Sequence, residues 1–467
     1  MRRFIGMVLT GSLVFGAASS ASGETLADAL ISAYKKSNLI EQNQAVLRAA
    51  DEGVAQAMST LRPVIAYTAQ AGLVRLKTGS FLTPGSQFTD VGSSQSLSLS
   101  ASMTLYDFGR GKIGIELARE NVMATRQALT NVEQEVLLDA LTAYVDVRLQ
   151  AETLLLRQSN VRLITQELRA AKDRFEVGEA TQTDVALAEA ALAAAEAGQE
   201  GAQGALDLAR ESYKATVGQY PGNLAGLPNA PSIPTSLEEA RAVALRTQPS
   251  ILQVQHQVKI TDLQVDYAKA NFKPTVSGNA TLTENWTDGV ESFGNPDSER
   301  LALQFTQTIY SGGLKASQLR EAIANQAAAR SGLHQTGVIV SENVGRAWSN
   351  ISVSAANIQS GLKQVRAAQA AFDGVKEEAE LGARTTLDVL DAEQNLLDAR
   401  FAKLQAEANL YVGVYQLLYT MGLLTVDHLN LGIPTYDVEA YYDAVKKAPA
   451  HSAQGEALDR ILKTIGN

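Results

Sequence analysis

Residues 96–106 read Ser-Leu-Ser-Leu-Ser-Ala-Ser-Met-Thr-Leu-Tyr, and every odd-numbered position from 97 to 105 is apolar. Successive side chains of a β-strand point to opposite faces, so the alternation predicts a strand with one apolar and one polar face. The stretch is about as long as the roughly 9–11 residues with which a β-strand crosses a bilayer. It therefore predicts a strand whose apolar side faces lipid.

Three other segments of the chain alternate in the same way. Their apolar positions are Ile65, Tyr67, Ala69, Ala71 and Leu73; Val276, Gly278, Ala280 and Leu282; and Leu301, Leu303, Phe305 and Ile309. Polar, Gly-containing segments separate the two members of each strand pair, at 77–94 and 287–298. We expect these segments to be surface loops of a barrel.

A long helix is predicted after each strand pair. No proline occurs between Tyr106 and Gly178 or between Tyr310 and Gly382. Apolar residues fall at intervals of seven in both segments: Ala140, Val147, Leu154, Val161, Leu168 and Phe175, then Val344, Ile351, Ile358, Val365, Phe372 and Ala379. A sustained period of seven predicts helices that supercoil around neighbours, and roughly 68 helical residues would span about 100 Å.

Shorter helices are predicted around these long ones. The glycines at 178 and 382 are expected to turn the chain, and return helices are expected over 183–217 and 387–424. One further helix is predicted over 25–61, ended by Pro63. Each half of the chain then contains a helix, two strands, a long helix, a tight turn and a returning helix.

The chain contains an internal repeat. Thr25-Leu-Ala-Asp-Ala29 matches Ser236-Leu-Glu-Glu-Ala240 at an offset of 211, and Leu105-Tyr-Asp-Phe-Gly109 matches Ile309-Tyr-Ser-Gly-Gly313 at an offset of 204. We predict two structural repeats, at 24–217 and 236–430, joined by a Pro- and Gly-rich linker at 218–235. Residues 431–467 match neither repeat and are predicted to be a partly disordered tail or one that lies over the outside.

The N terminus predicts export from the cytoplasm. Met1-Arg-Arg3 is basic, residues 4–18 are mostly apolar, and Ala21-Ser-Gly23 supplies small residues for cleavage. Residues 1–23 are therefore predicted to be a secretory signal peptide, with a buried N-terminal helix as the alternative. After residue 23 no run of about 18 apolar residues occurs, so no transmembrane helix is predicted.

Composition excludes several classes of function. The 467 residues contain 40 Lys and Arg against 50 Asp and Glu, a formal net charge of -10, so no nucleic-acid partner is expected. The chain has no Cys, which excludes disulfides, thiolate nucleophiles and lipid attachment through Cys. The four His are scattered without a ligand spacing. No catalytic residues, metal site or cofactor are predicted, and the chain is not expected to be an enzyme.

One motif matches a dinucleotide-binding pattern. Gly109-Arg-Gly-Lys-Ile-Gly114 has the spacing G-x-G-x-x-G after a predicted strand and at the start of a predicted helix. That helix is far longer than a βαβ unit allows, and the second repeat keeps only Gly313 in place of Gly109. We therefore interpret these glycines as a turn from strand into helix.

The strand count requires an assembly. Two repeats supply four strands, which are too few to close a barrel, and open sheet edges are not tolerated in lipid. Twelve strands from three chains are the smallest set that leaves a lumen, since eight would be filled by side chains. The predicted fold class is an α+β membrane protein, a homotrimer with a 12-stranded β-barrel, four strands per protomer, continued by a long α-helical coiled-coil tube.

Residues 24–430 resemble the TolC-like outer-membrane factors of bacterial efflux and type I secretion systems. The resemblance rests on the doubled plan, on the strand-to-helix junctions at 105–109 and 309–313, on Phe175-Glu-Val-Gly178, and on Leu381-Gly-Ala-Arg-Thr-Thr-Leu-Asp-Val-Leu-Asp391. It implies a channel in the outer membrane of a Gram-negative bacterium that extends as a helical tunnel through the periplasm. The implied partners are outer-membrane lipid, a periplasmic adaptor (membrane fusion protein) and an inner-membrane RND or ABC transporter. Drugs, other toxic compounds and secreted protein all remain open as cargo.

The second helical turn contains the candidate pore residues. Asp388 and Asp391 share a helix face and in a trimer would form two stacked carboxylate rings. Rings of Asp select cations, and crowding six carboxylates is expected to raise their pKa values. The resemblance places the family's constriction at these two residues. The sequences at 385–388 and 181–184 are also capping-box patterns, so Asp388 and Asp184 are alternatively helix caps.

The resemblance also implies a gate. Arg384 would tether the inner coiled coil to the outer one through Thr183 and Asp184 and hold the tip closed, and the alternative role of Arg384 is an exposed surface charge. The family has a Tyr at the position of Ala379, whose side chain cannot form a hydrogen bond. The strength of the closed state is therefore left open.

A periplasmic coiled-coil adaptor or an adhesin-like structural protein is the alternative function. Such a protein would share the signal peptide and the heptads. It has no need of paired strands with apolar faces beside long helices, so the strand pattern favours the channel.

Overall fold

A computed structural model describes residues 23–79, 87–288, 297–447 and residue 460. The predicted signal peptide up to residue 22, residues 80–86 and 289–296 between the strands, and most of the predicted tail beyond 447 lie outside the described residues. The elements are α1 (Leu26–Lys36), α2 (Asn38–Ser59), β1 (Val64–Gly79), β2 (Gln87–Tyr106), α3 (Arg110–Glu176), α4 (Gln182–Val217), α5 (Leu237–Thr247), α6 (Pro249–Ala270), β3 (Thr275–Asp288), β4 (Ser298–Thr306), α7 (Leu314–Glu380), α8 (Thr386–Thr420) and α9 (Ala440–Val445).

The two long helices are present as predicted. Both α3 and α7 have 67 residues, and they begin 204 positions apart, as the sequence repeat does. Gly109 and Gly313 precede them with φ of 92° and 87°, a left-handed conformation that glycine adopts without strain. These glycines therefore turn the chain from strand into helix. Among the described residues, no helix has both the length and the apolar character needed to span a membrane.

The first predicted helix is two helices, so the prediction of one helix over 25–61 was wrong. Ser37 has an extended backbone (φ -72°, ψ 111°), and its hydroxyl accepts a hydrogen bond from the N–H of Ile40 at 3.3 Å. It therefore ends α1 and caps α2. The helices α5 and α6 repeat the arrangement, with Pro249 as the first residue of α6.

The strands form one antiparallel sheet in the order β1-β2-β3-β4. Leu99 lies opposite both Tyr67 and Leu282, and Ala280 lies opposite Leu301. Residues directly opposite each other share a sheet face. The apolar positions of the four strands therefore gather on one face, as the alternation predicts.

The strand boundaries differ from the prediction. The pairing of β1 with β2 continues to Gly79 and Gln87, so much of the expected loop at 77–94 is strand. The strand β4 ends at Thr306, before the apolar Ile309. Backbone pairing requires no apolar side chains, and the ladder therefore extends beyond the alternating stretch into polar sequence.

The largest buried core lies where α1, α3, α4, α5, α7 and α8 meet. Its members include Leu137, Leu141, Tyr144, Tyr213, Leu417 and Leu418. The Tyr144 hydroxyl is 3.0 Å from the carbonyl oxygen of Glu24 and 2.8 Å from that of Ala225. The core thus holds the first described residues against the segment 218–235. Residues 436–447 pack against α2 and α3 outside this main core.

Replacing Gly422 by Ala is expected to destabilise the protein by about 2 kcal/mol, because the residue has φ of 75°. A Cβ atom there would also lie 2.6 Å from the carbonyl oxygen of Thr247. Gly53 is the matched control, since its helical position has nothing within 4 Å of a Cβ atom. Gly53→Ala should stabilise by up to about 1 kcal/mol. Melting temperatures of the purified variants test this, and equal values for Gly422→Ala and wild type would contradict it.

Candidate functional site: the helical turns

The two helical hairpins, α3–α4 and α7–α8, turn in the same way. Gly178 and Gly382 are left-handed, with φ of 81° and 77°. The N–H of Gly178 donates to the carbonyl of Phe175 at 3.1 Å, and that of Gly382 donates to the carbonyl of Ala379 at 3.1 Å. These hydrogen bonds close the last turn of each long helix. Both hairpins therefore present the start of their return helix at the same end of the protomer.

A capping box begins each return helix. The N–H of Thr385 donates to Asp388 Oδ2 at 2.9 Å, and the N–H of Asp388 donates to Thr385 Oγ1 at 3.3 Å. Thr181 and Asp184 form the same pair in the first hairpin. The hydrogen bonds from Thr385, with a smaller contribution from the charge of Arg384, lower the pKa of Asp388 below its ordinary value. Asp388 is therefore ionised, caps α8 and stays partly exposed.

Asp391 lies one helical turn further along α8. Its side chain is exposed and has no hydrogen-bond or ion-pair partner in the part of the chain that the structure describes. Residues three apart on a helix share a face, so Asp388 and Asp391 present two carboxylates side by side. The expected rise in pKa from crowding concerns three chains, and it remains a prediction for the trimer.

The proposed tether residues do not meet within the protomer. Arg384 Nε donates to Glu378 Oε2 at 2.8 Å, an exposed ion pair inside the α7–α8 hairpin. Asp184 bonds to Thr181 of its own turn, and Thr183 is exposed. Among the described residues, no hydrogen bond or ion pair joins Arg384 to Thr183 or Asp184. The tether stays a prediction.

Three polar side chains of α3 join the two hairpins, and the sequence analysis missed them. Asn160 Nδ2 donates to Glu393 Oε1 at 2.6 Å, and Lys376 Nζ lies 3.5 Å from Glu167 Oε1. Arg174 Nη1 donates to the carbonyl oxygen of Ala379 at 3.3 Å. Residue 379 therefore contributes its backbone to the contact between the two hairpins even though its side chain cannot form a hydrogen bond.

Spacing was the signal that could have identified these contacts. Asn160, Glu167 and Arg174 are seven residues apart, so they lie along one face of α3 beside the apolar heptad positions. The residues at the equivalent positions of α7 are Gln364, Ala371 and Glu378, which do not repeat the pattern. A polar stripe present in only one repeat indicates a specific contact between the hairpins.

Glu393 is the most perturbed carboxyl group near the turns. It is buried, and its Oε2 has no hydrogen-bond partner among the described residues. Burial raises the pKa of Glu393 to about 7, with a further increase from Glu167, while Asn160 and Lys376 oppose the change. Its equivalent in the first repeat, Glu189, is exposed and pairs with Lys172 at 2.9 Å.

The described part of a single protomer contains no complete cation site. Within the described ranges, no group of His, Cys, Asp and Glu is placed to hold a metal ion. Any cation site at Asp388 and Asp391 would therefore depend on copies of these residues from neighbouring chains.

Comparison with known proteins gives matches along most of the chain. A family model described as outer membrane efflux protein matches residues 30–219 and 241–422. The outer membrane efflux protein BepC of Brucella suis biovar 1 is 32% identical over 440 residues, 94% of each chain. The outer membrane protein TolC of Escherichia coli K12 is 25% identical over 90% of this chain and 87% of its own length. The crystal structure of the outer membrane protein VceC of Vibrio cholerae has a TM-score of 0.72 at 19% identity, and covers 85% of this chain and 96% of VceC.

Proposed function

Because this chain belongs to the outer membrane efflux protein family, we propose that the carboxylates of its α7–α8 turn control passage through an outer-membrane channel. The chain is a subunit of a trimeric channel of the efflux and type I secretion class. It lies in the outer membrane, extends into the periplasm and is not an enzyme. The family match in both repeats and the near full-length match to BepC favour this function over a soluble adaptor or adhesin.

The observation that supports control at the turn is the exposure of Asp391 beside Asp388. Both are at the end of a hairpin whose long helix, α7, has 67 residues and spans about 100 Å at 1.5 Å per residue. Three-fold symmetry would bring six carboxylates together at this end, and rings of Asp select cations. We propose that this is the constriction and that Arg384, Thr183 and Asp184 help to hold it closed between chains.

Channels of this class work with periplasmic adaptors and inner-membrane pumps. For this chain we propose a membrane fusion protein and an RND or ABC transporter as the partners. The energy for transport would come from the transporter, since the chain itself has no catalytic residues to propose. Deletion of the gene, followed by comparison of drug susceptibility with the secreted proteome, distinguishes an efflux cargo from a secreted protein.

Cell fractionation tests the assembly. We expect recovery from the outer membrane as a heat-modifiable trimer. Release of the protein with the soluble periplasm would contradict the channel function and favour a periplasmic structural protein.

Replacing Arg384 by Ser is expected to raise the single-channel conductance of reconstituted trimers, because it removes the guanidinium through which Arg384 would hold the tip closed. Planar-bilayer recording measures this. Two variants identify the partner of Arg384. Glu378→Gln reproduces the increase if the ion pair inside the hairpin holds the tip, and Asp184→Asn reproduces it if the tether to the other hairpin does. Unchanged conductance in Arg384→Ser would disprove a gating role for this residue.

A further inference from the structure

Residues 436–447, which we name the C-terminal strap, pack across α2 and α3. The buried apolar residues beneath it are Leu47, Val54, Val122 and Leu129, and the strap contributes Tyr436, Val438 and Tyr442. Val445 of the strap is 1% exposed. The strap therefore closes a small core of its own, separate from the main core.

Arg126 of α3 is the principal polar contact of the strap. Its guanidinium pairs with the carboxylate of Glu439, donates to the carbonyl of Val438 at 3.1 Å, and lies 5.4 Å from the ring centroid of Tyr442. The Tyr441 hydroxyl donates to Glu52 Oε1 on α2 at 2.9 Å. The strap is thus attached to both helices by polar groups at its edge.

Asp51 of α2 lies beneath this attachment. It falls between Leu47 and Val54 on the same helix face, and it is 0% exposed. Neither of its carboxylate oxygens has a hydrogen-bond partner in the described part of the chain. An unpartnered carboxylate in such a place is costly, whereas its neutral form is tolerated. A buried Asp at this position therefore needs an explanation beyond packing.

The charged groups that face Asp51 come from each element around it. They are Arg126 from α3, Glu439 from the strap and Glu52 from α2. Burial is the main cause that raises the pKa of Asp51 to about 7, and Glu439 and Glu52 raise it further, while Arg126 lowers it. Arg126 is already engaged by Glu439 and Val438, and it makes no hydrogen bond to Asp51.

We propose that the C-terminal strap is a proton-linked clasp, which closes over protonated Asp51 and opens when Asp51 loses its proton. With the strap open, Asp51 would be hydrated and would return toward an ordinary acidity. An acid whose pKa is higher in the closed state favours that state at low pH. The ratio of closed to open strap should therefore fall up to about tenfold per pH unit between about pH 4 and 7 and then level off.

The clasp is distinct from the turn that controls passage. Arg126 is 50 residues before Glu176, the last residue of α3, which corresponds to about 75 Å of helix. Opening of the strap would expose the apolar surface of α2 and α3 as the pH rises. This effect would be independent of Asp388 and Asp391.

Thiol labelling of the full-length channel tests the clasp, because the natural chain has no Cys. In Val445→Cys the thiol is hidden when the strap is closed. Its maleimide labelling rate is measured between about pH 5 and 8 in the Asp51 background and in Asp51→Asn, so that the pH dependence of the thiol itself cancels in the ratio. We expect the ratio of the Asp51 rate to the Asp51→Asn rate to rise at least about tenfold across this range.

Glu439→Gln provides a second, milder variant. It weakens the contact with Arg126, so labelling should become faster at every pH. It also removes a charge that raises the pKa of Asp51, so the dependence on Asp51 should shift to lower pH. A ratio that does not change with pH, or a strap that stays unlabelled throughout, would overturn the proposal.

Discussion

The double substitution Asp388→Ala and Asp391→Ala should abolish block of the channel by divalent and trivalent cations. Loss of the two proposed carboxylate rings, each contributing about tenfold in affinity, should raise the half-blocking concentration about a hundredfold. The physical reason is that Asp391 is exposed and has no partner among the residues that the structure describes, and Asp388 is held ionised by Thr385 on the same helix face. Bilayer recordings with added cation measure the change.

Three control variants separate charge from helix capping. Thr181→Ala removes the same capping box from the first hairpin and should leave the block intact. Asp388→Asn keeps a capping side chain and removes the charge. Thr385→Ala removes the cap and keeps the carboxylate. Persisting block in the double variant, or loss of block in Thr181→Ala, would exclude the two residues as the selectivity element.

The helical hairpins could be predicted from the sequence because their signals are local. The spacing of seven from Ala140 onward requires packed helices, and Gly178 and Gly382 stand where the backbone must adopt φ above zero. The capping boxes at Thr181 and Thr385 are also local, since each needs only a partner three residues away. The two candidate pore carboxylates, Asp388 and Asp391, could be placed on one face for the same reason.

The features that were missed depend on contacts between distant segments or on weak local signals. Ser37 breaks the first helix through an extended backbone that the apolar pattern does not reveal. The pairing of β1 with β2 between residues 87 and 93 depends on backbone hydrogen bonds, and no side-chain pattern predicts these. The hydrogen bond from Asn160 to Glu393 joins residues 233 positions apart, and only the packing of α3 on α8 brings them together.

Glu393→Gln should make the protein more stable at about pH 8 by about 3 kcal/mol, because the buried carboxyl has a pKa raised from 4.5 to about 7. An acid whose pKa is raised by folding stabilises the native state most below its unfolded pKa. That contribution is lost as the pH rises from about 4.5 to about 7. Gln keeps an oxygen that can accept from Asn160 Nδ2 and carries no charge, so the part of the pH-dependent loss that comes from Glu393 should disappear, while the part that comes from Asp51 stays. Melting temperatures across this range measure the effect.

The internal repeat supplies the matched control. Glu189 occupies the position equivalent to Glu393 but is exposed and paired with Lys172. Glu189→Gln should therefore change stability by less than about 1 kcal/mol at any pH. Asn160→Ala should act in the opposite direction to Glu393→Gln, because it removes the only hydrogen bond to the Glu393 carboxylate among the described residues and should cost about 2 kcal/mol near pH 8. If Glu393→Gln and wild type lose stability in parallel as the pH rises, a different group controls the contact between the hairpins.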